Sequence, residues 1–220
     1  MVQEAKRLKL RYAVITADVI RSRSVSNFRA MRDAKLVPLS KTHVAGGLIV
    51  SPYAVTVWDE FQGILAAPHL FPRVILDMRR AFFPMELRIA VGLGSVSEPK
   101  KSPVNQFAGG QAFERARAAM DRLKGNKPSK YPVFTIIESG DRALDLATNT
   151  IYRLQDTLVG ETSRKQWETI NWLLRTGSQE LAAKKLGVNV STVSRTLRRA
   201  HHWQIEETRQ ATEEFLLAYL

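Results

Sequence analysis

The sequence predicts an α+β sandwich, one sheet covered by helices, followed by an all-α helix-turn-helix unit. Two observations carry this. Up to residue 137, strand-like apolar runs and helical-period runs follow one another as β-α-β-β-α-β-α-β. Residues 178–199 then read SQELAAKKLGVNVSTVSRTLRR, a two-helix pattern hinged on Gly187. With 220 residues, 45% hydrophobic and 25% charged, the chain has enough apolar material for two units. The expected division is residues 1–138, a connector helix over 139–160, and residues 161–220.

Along the first unit, residues 11–20 (RYAVITADVI) are rich in β-branched side chains and read as a buried strand leaving the sheet at Asp18. A helix over about residues 25–36 follows. Residues 47–57 (GLIVSPYAVTV) and the stretch from Gln62 read as strand, turn, and strand or helix around Trp58-Asp59-Glu60-Phe61. Residues 69–82 carry Leu70, Val74, Leu76 and Met78 at helical spacing. Residues 86–96 (ELRIAVGLGSV) predict a strand whose Gly92 and Gly94, at alternate positions, mark a close approach to the backbone. Residues 99–103 read as a polar loop, 110–124 as a helix, and 131–137 as the last strand. Ser139-Gly140-Asp141 should cap the connector helix, expected to end near residue 158.

Composition narrows the function classes. The chain has no Cys, which excludes disulfides and thiolate metal sites, and its four His lack ligand spacing for zinc. No secretory h-region and no run of ~18 apolar residues is seen, so no membrane partner and a cytoplasmic location are expected. The net charge of +12 favours polyanionic partners. Residues 164–199 hold eight Lys and Arg against two acids, whereas residues 200–220 hold one against four, so the tail is not expected to touch DNA.

In the helix-turn-helix stretch each special position has a physical task. Ala182 and Ala183 let two helices cross, Leu186 seals the corner, and Gly187 supplies the positive φ that ends the first helix. Val188 is expected to pack inward and Ser191 to cap the second helix. Val193 and Leu197, four apart, anchor that helix and leave Asn189, Thr192, Ser194, Arg195, Arg198 and Arg199 outward. A preceding helix over residues 164–174, with Trp167, Ile170 and Leu174 on one stripe, completes a tri-helical unit. Residues 163–203 resemble sigma-factor region four and related bacterial helix-turn-helix modules. The expected contacts to double-stranded DNA are Asn189, Ser191, Thr192, Ser194, Arg195, Arg198 and Arg199. The plainer reading of such a unit is a protein–protein brace.

Asp18 at a strand end and Asp59 at a second strand-turn are the residue types that a Mg²⁺ or Mn²⁺ ion carrying a nucleotide requires, because hard cations take oxygen ligands. The simpler reading makes Asp18 a turn cap and Asp59-Glu60 a solvated turn. Arg21, Arg23, Arg29 and Arg32 are either a solvated face or a phosphate receiver.

The runs ITADVIRSR, VWDEFQGIL, ELRIAVGLGSV and GGQAFERARAAM, in this order, resemble the landmarks of the SatD family. That resemblance implies a ferredoxin-like, nucleotide-cyclase-like sandwich ahead of the helix-turn-helix. It also implies metal-binding acids at Asp18 and Asp59, a phosphate-approaching turn at residues 19–22, and nucleotide contacts from Arg21, Arg23 and Arg117. Two departures stand out. Trp58 occupies a place where the related motif has Gly, and Glu114 with Arg117 three residues on replaces an Asn with Arg four on.

After Trp203, residues 205–219 place Ile205, Thr208, Thr212, Phe215, Leu216 and Tyr219 on a helical stripe. Packing on its own domain is the first reading and a dimerisation helix the second. The expectation is a bacterial DNA-binding regulator, working as a homodimer. Its degenerate cyclase-like domain would sense a nucleotide or assemble the protein, without an obligatory cofactor and without turnover. The alternatives are a metal-dependent nucleotide cyclase or related nucleotidyl-transfer enzyme, and a protein–protein adaptor.

Overall fold

In a computed structural model covering residues 12–97, 109–125 and 133–220, the sheet is built outward from its central strand β1 (Tyr12–Val19). Its other strands are β2 (Ala54–Val55), β3 (Glu60–Ile64), β4 (Leu87–Gly94) and β5 (Thr135–Glu138). They lie in the order β2-β3-β1-β4-β5, antiparallel throughout except for the parallel pair β4–β5. The protein is thus α+β with a five-stranded mixed sheet, and its element order is the one the periodicities predict. Among the described residues no helix is long and apolar enough to cross a membrane.

β1 is buried from Ala13 to Val19 because both its faces are covered. Ala13, Ile15, Ala17 and Val19 face the core under helices α1 (Phe28–Ala45) and α2 (Phe71–Phe82). Val14, on the opposite face, packs with Ala112 and Ala116 of α3 (Gln111–Gly125). β4 obeys the same two-residue period. Leu87, Ile89, Val91 and Leu93 enter the larger core, and Gly92 and Gly94 turn toward α3. A Cβ at Gly92 would sit 2.1 Å from the Ala112 carbonyl oxygen, so the close approach that the glycines mark is this helix.

Three expected boundaries need correction. α1 does not stop at residue 36 but runs through Pro38 to Ala45. Phe28, Arg32, Leu36, Leu39 and His43 form one buried stripe, and burial beyond the proline offsets the ~3 kcal/mol that an interior proline costs. The expected strand over residues 47–57 contracts to the two residues of β2 and an isolated bridge from Ile49 to Leu65. β5 starts at Thr135, and the loop expected at 99–103 lies outside the described residues.

Helices α4 (Arg142–Gly160), α5 (Arg164–Thr176), α6 (Gln179–Leu186), α7 (Val190–Arg199) and α8 (His202–Tyr219) complete the chain. Asp141 caps α4 by accepting from the Ala143 and Leu144 amides, and Ser163 with Gln166 forms a capping box on α5. Trp167, Ile170 and Leu173 of α5 are buried with Ala182, Ala183, Val193 and Leu197. Leu174, expected on that stripe, is half-exposed, because the buried positions advance by three rather than four.

α4 and α8 each belong to both cores. α4 places Tyr152 among the residues under the sheet and Val159 among those of α5–α7, while α8 does the same with Leu216 and Ile205. Of the stripe expected on α8, Ile205, Thr212 and Leu216 are buried, whereas Thr208, Phe215 and Tyr219 are exposed. The tail therefore packs back, as first read, but reaches past its own helices to α2, where Arg80 meets Glu206 at 3.0 Å.

Candidate nucleic-acid interface and acidic site

The geometry of α6 and α7 begins with chain reversals that only certain residues allow. Gly187 ends α6 at φ 66°, and the Val188 amide returns to the Ala183 carbonyl. Ser178 caps α6 through the amides of Glu180 and Leu181. α7 then buries Val193 and Leu197 and exposes Asn189, Ser191, Thr192, Ser194, Arg195, Arg198 and Arg199. All seven residues expected at the DNA interface thus lie on the solvent side of one helix or at its N-cap.

Two local roles differ from expectation. Asn189, not Ser191, is the N-cap residue of α7, and its side chain makes no capping hydrogen bond. Val188 is 41% exposed, because the corner is closed by Leu186 against the α5–α7 core. Lys185 and Arg175 both lie over the Trp172 ring, at 5.9 and 5.5 Å, and add cations beside α6 that sequence reasoning did not single out.

The acids of the sheet form a second constellation. Register places Asp18 of β1 opposite Glu60 of β3, and both are buried. Lys124 of α3 bridges them, its Nζ 2.9 Å from Asp18 Oδ1 and 2.9 Å from Glu60 Oε2. Arg88 Nη1 stands 2.9 Å from Asp18 Oδ2, and Arg117 Nη1 lies 3.6 Å from Glu60 Oε1, which also accepts from Thr56 Oγ1. Burial pulls the Lys124 ammonium down, but its hydrogen bonds and charge attraction to Asp18 and Glu60 outweigh this and raise its pKa.

Asp59 stands one residue away, with its Oδ2 accepting from Ser22 Oγ and its carbonyl accepting from the Val19 amide. Arg21 is exposed in the left-handed region at φ 57°, and Arg23 is exposed in the 3₁₀ turn Ser22–Ser24. Trp58 is half-exposed and stacks on Phe28, with the Arg29 guanidinium 5.9 Å from its ring and Arg32 donating to its carbonyl.

Sequence reasoning found Asp18, Asp59 and Arg117 and missed Arg88 and Lys124; Glu60, read with Asp59 as a solvated turn, is instead buried. Glu60 joins Asp18 only through strand register, whereas Lys124 lies on the same face of α3 as Arg117 and Asp121, a helical spacing that was legible. Among the described residues no three His, Asp or Glu side chains are grouped to hold a metal ion. Both oxygens of Asp18 and both of Glu60 already face donors of this chain. The Asp18–Glu60 pair is thus met by cationic side chains of the chain itself.

A match to the SatD family extends over residues 12–214, nearly the whole chain. The chain belongs to the SatD family. Among curated proteins nothing matches this SatD-family chain. Among solved structures it is similar to the crystal structure of a regulator of polyketide synthase expression from Bifidobacterium adolescentis, at 17% identity over 93% of this chain and 81% of that one. The TM-score is 0.23, and so loose a superposition carries no argument about fold or function.

Proposed function

We propose that this SatD-family chain is a transcription regulator that binds double-stranded DNA through α7. Its sheet-bearing part, residues 1–138, acts as a sensing or assembly domain rather than a catalyst, and residues 161–220 act as the DNA-binding domain beyond the connector. The observation that carries the reading is the division of α7. Val193 and Leu197 are sunk into the helical core, and three arginines with four small polar residues are left to solvent. Such a helix, preceded by a Gly corner, suits major-groove entry, where Arg meets guanine edges or phosphates and Asn, Ser and Thr meet bases or backbone.

The strand order β2-β3-β1-β4 supports a ferredoxin-like, nucleotide-cyclase-like assignment of the first domain, with β5 added in parallel. Two copies on paired half-sites are the working stoichiometry. The test is a mobility shift of the full chain on duplex DNA flanking its own gene, across a salt series, with and without ATP or GTP. Binding that weakens steeply with salt is expected. The absence of any salt-sensitive binding would give the protein to the adaptor reading. Chromatography of ATP and GTP after incubation with protein and Mg²⁺ or Mn²⁺ is expected to show no product, and a product would give it to the enzyme reading.

A further inference from the structure

We infer that Lys124 is the resident cation of the Asp18–Glu60 pair, so that this pair takes no divalent metal. The two carboxylates lie opposite each other on adjacent strands, and their nearest oxygens share one ammonium at equal distances of 2.9 Å. Burial makes two adjacent carboxylates expensive unless a cation sits between them. Lys124 comes from the last turn of α3, where a positive side chain also suits the helix C-terminus. Arg88 covers the outer oxygen of Asp18 and Arg117 that of Glu60. A dication arriving here would have to displace Lys124 and then sit among Lys124, Arg88 and Arg117, gaining little net attraction.

The arrangement also ties α3 to β1 and β3 through one side chain. Its proper comparison is with the same two carboxylates deprived of the ammonium. Lys124→Gln leaves a stem of similar volume and no charge, and the pair should then become a site for a hard cation.

The experiment reads thermal midpoints of the full chain with and without millimolar Mn²⁺, together with Mn²⁺ binding followed by electron paramagnetic resonance. The wild type should show neither bound Mn²⁺ nor a shifted midpoint. Lys124→Gln should melt lower than wild type, bind Mn²⁺ and regain midpoint on its addition, and Asp18→Asn in that background should remove the binding. Should Lys124→Gln fail to fold, the wild type alone still decides, through Mn²⁺-induced broadening of the amide resonances of β1 and β3. No broadening there is expected. Mn²⁺ bound by the wild type at Asp18 would overturn the inference. So would a folded Lys124→Gln that binds none, since the pair would then not be a cation site at all. Neither outcome bears on DNA binding by α7, so failure here and failure of the regulator reading are distinguishable.

Discussion

The carboxylate of Asp156 receives four donors from three residues. Arg79 Nη2 and the Thr135 hydroxyl meet Oδ1, and the Phe134 and Thr135 amides meet Oδ2 at 2.8 Å. Asp156 and Arg79 are both buried, so removing one strands the charge of the other, at a cost of ~3–5 kcal/mol. Asp156→Ala should therefore lower unfolding stability by that amount in a denaturant titration. Arg195 sits at the opposite extreme, exposed on α7. If it reads a base, Arg195→Ala should cost about 1–3 kcal/mol in DNA affinity and change sequence preference; if it meets phosphate, the loss is uniform and the salt slope falls by about one. Competition titrations at several salt concentrations separate the two. At this scale the sequence exposed the outward residues of α7, because helical period alone assigns them once Val193 and Leu197 are fixed inward. It exposed only half of the acidic site. Asp18 is legible as a lone acid ending an apolar run, but its partnership with Glu60 depends on strand register, and Arg79–Asp156 on a pairing across 77 positions that no local pattern contains.

Elements were legible where their faces are simple. β1, β4, α2 and α3 follow from period and composition, whereas α1 outran its proline because tertiary burial outweighed local propensity, and β2 shrank because an edge segment has few partners to extend it. Where α3 crosses β4, Gly92→Ala would drive a methyl to 2.1 Å from a backbone carbonyl that cannot rotate away. A loss of at least ~1–3 kcal/mol is expected, visible as a lowered thermal midpoint, and an unchanged midpoint would mean that the helix can lift off the sheet without penalty. α8 carries a titratable residue at its start. His202 is buried, and burial first, then the Arg80 charge, depress its pKa against a smaller opposing pull from Glu206. A His whose pKa is lower folded than unfolded holds fewer protons in the native state, so stability rises with pH across the interval between the two values. The protein should thus lose stability as pH falls below the ordinary His value of 6.5, and His202→Gln should flatten that part of the curve. Denaturant midpoints measured from neutrality downward would show it; identical curves for variant and wild type would assign the acid sensitivity elsewhere.

At the scale of the whole molecule, the change of periodicity after residue 137 and the Gly187 corner suggested two units, and neither signal reports how they are joined. The joining is done by side chains whose helical stripe looks the same whichever core receives it. Leu216 is fully buried under the sheet, and Ile205 on the same helix is buried with α5–α7, while Leu76 of α2 crosses in the other direction. Such shared packing should couple the stability of one core to that of the other. The four tryptophans make the coupling measurable: Trp58 lies beside α1, whereas Trp167, Trp172 and Trp203 lie on α5 and α8. In a Trp58→Phe background the fluorescence reports only the C-terminal helices, and far-ultraviolet circular dichroism reports the whole chain. The two denaturation curves should coincide in one transition. Leu216→Ala, which empties a site in the sheet's core, should cost ~2–5 kcal/mol and move both curves together, although no tryptophan of the helical core touches the deletion. If instead the fluorescence curve stays in place while the dichroism curve splits, the two cores are independent, and any signal from the sheet to α7 must pass by a route other than α8.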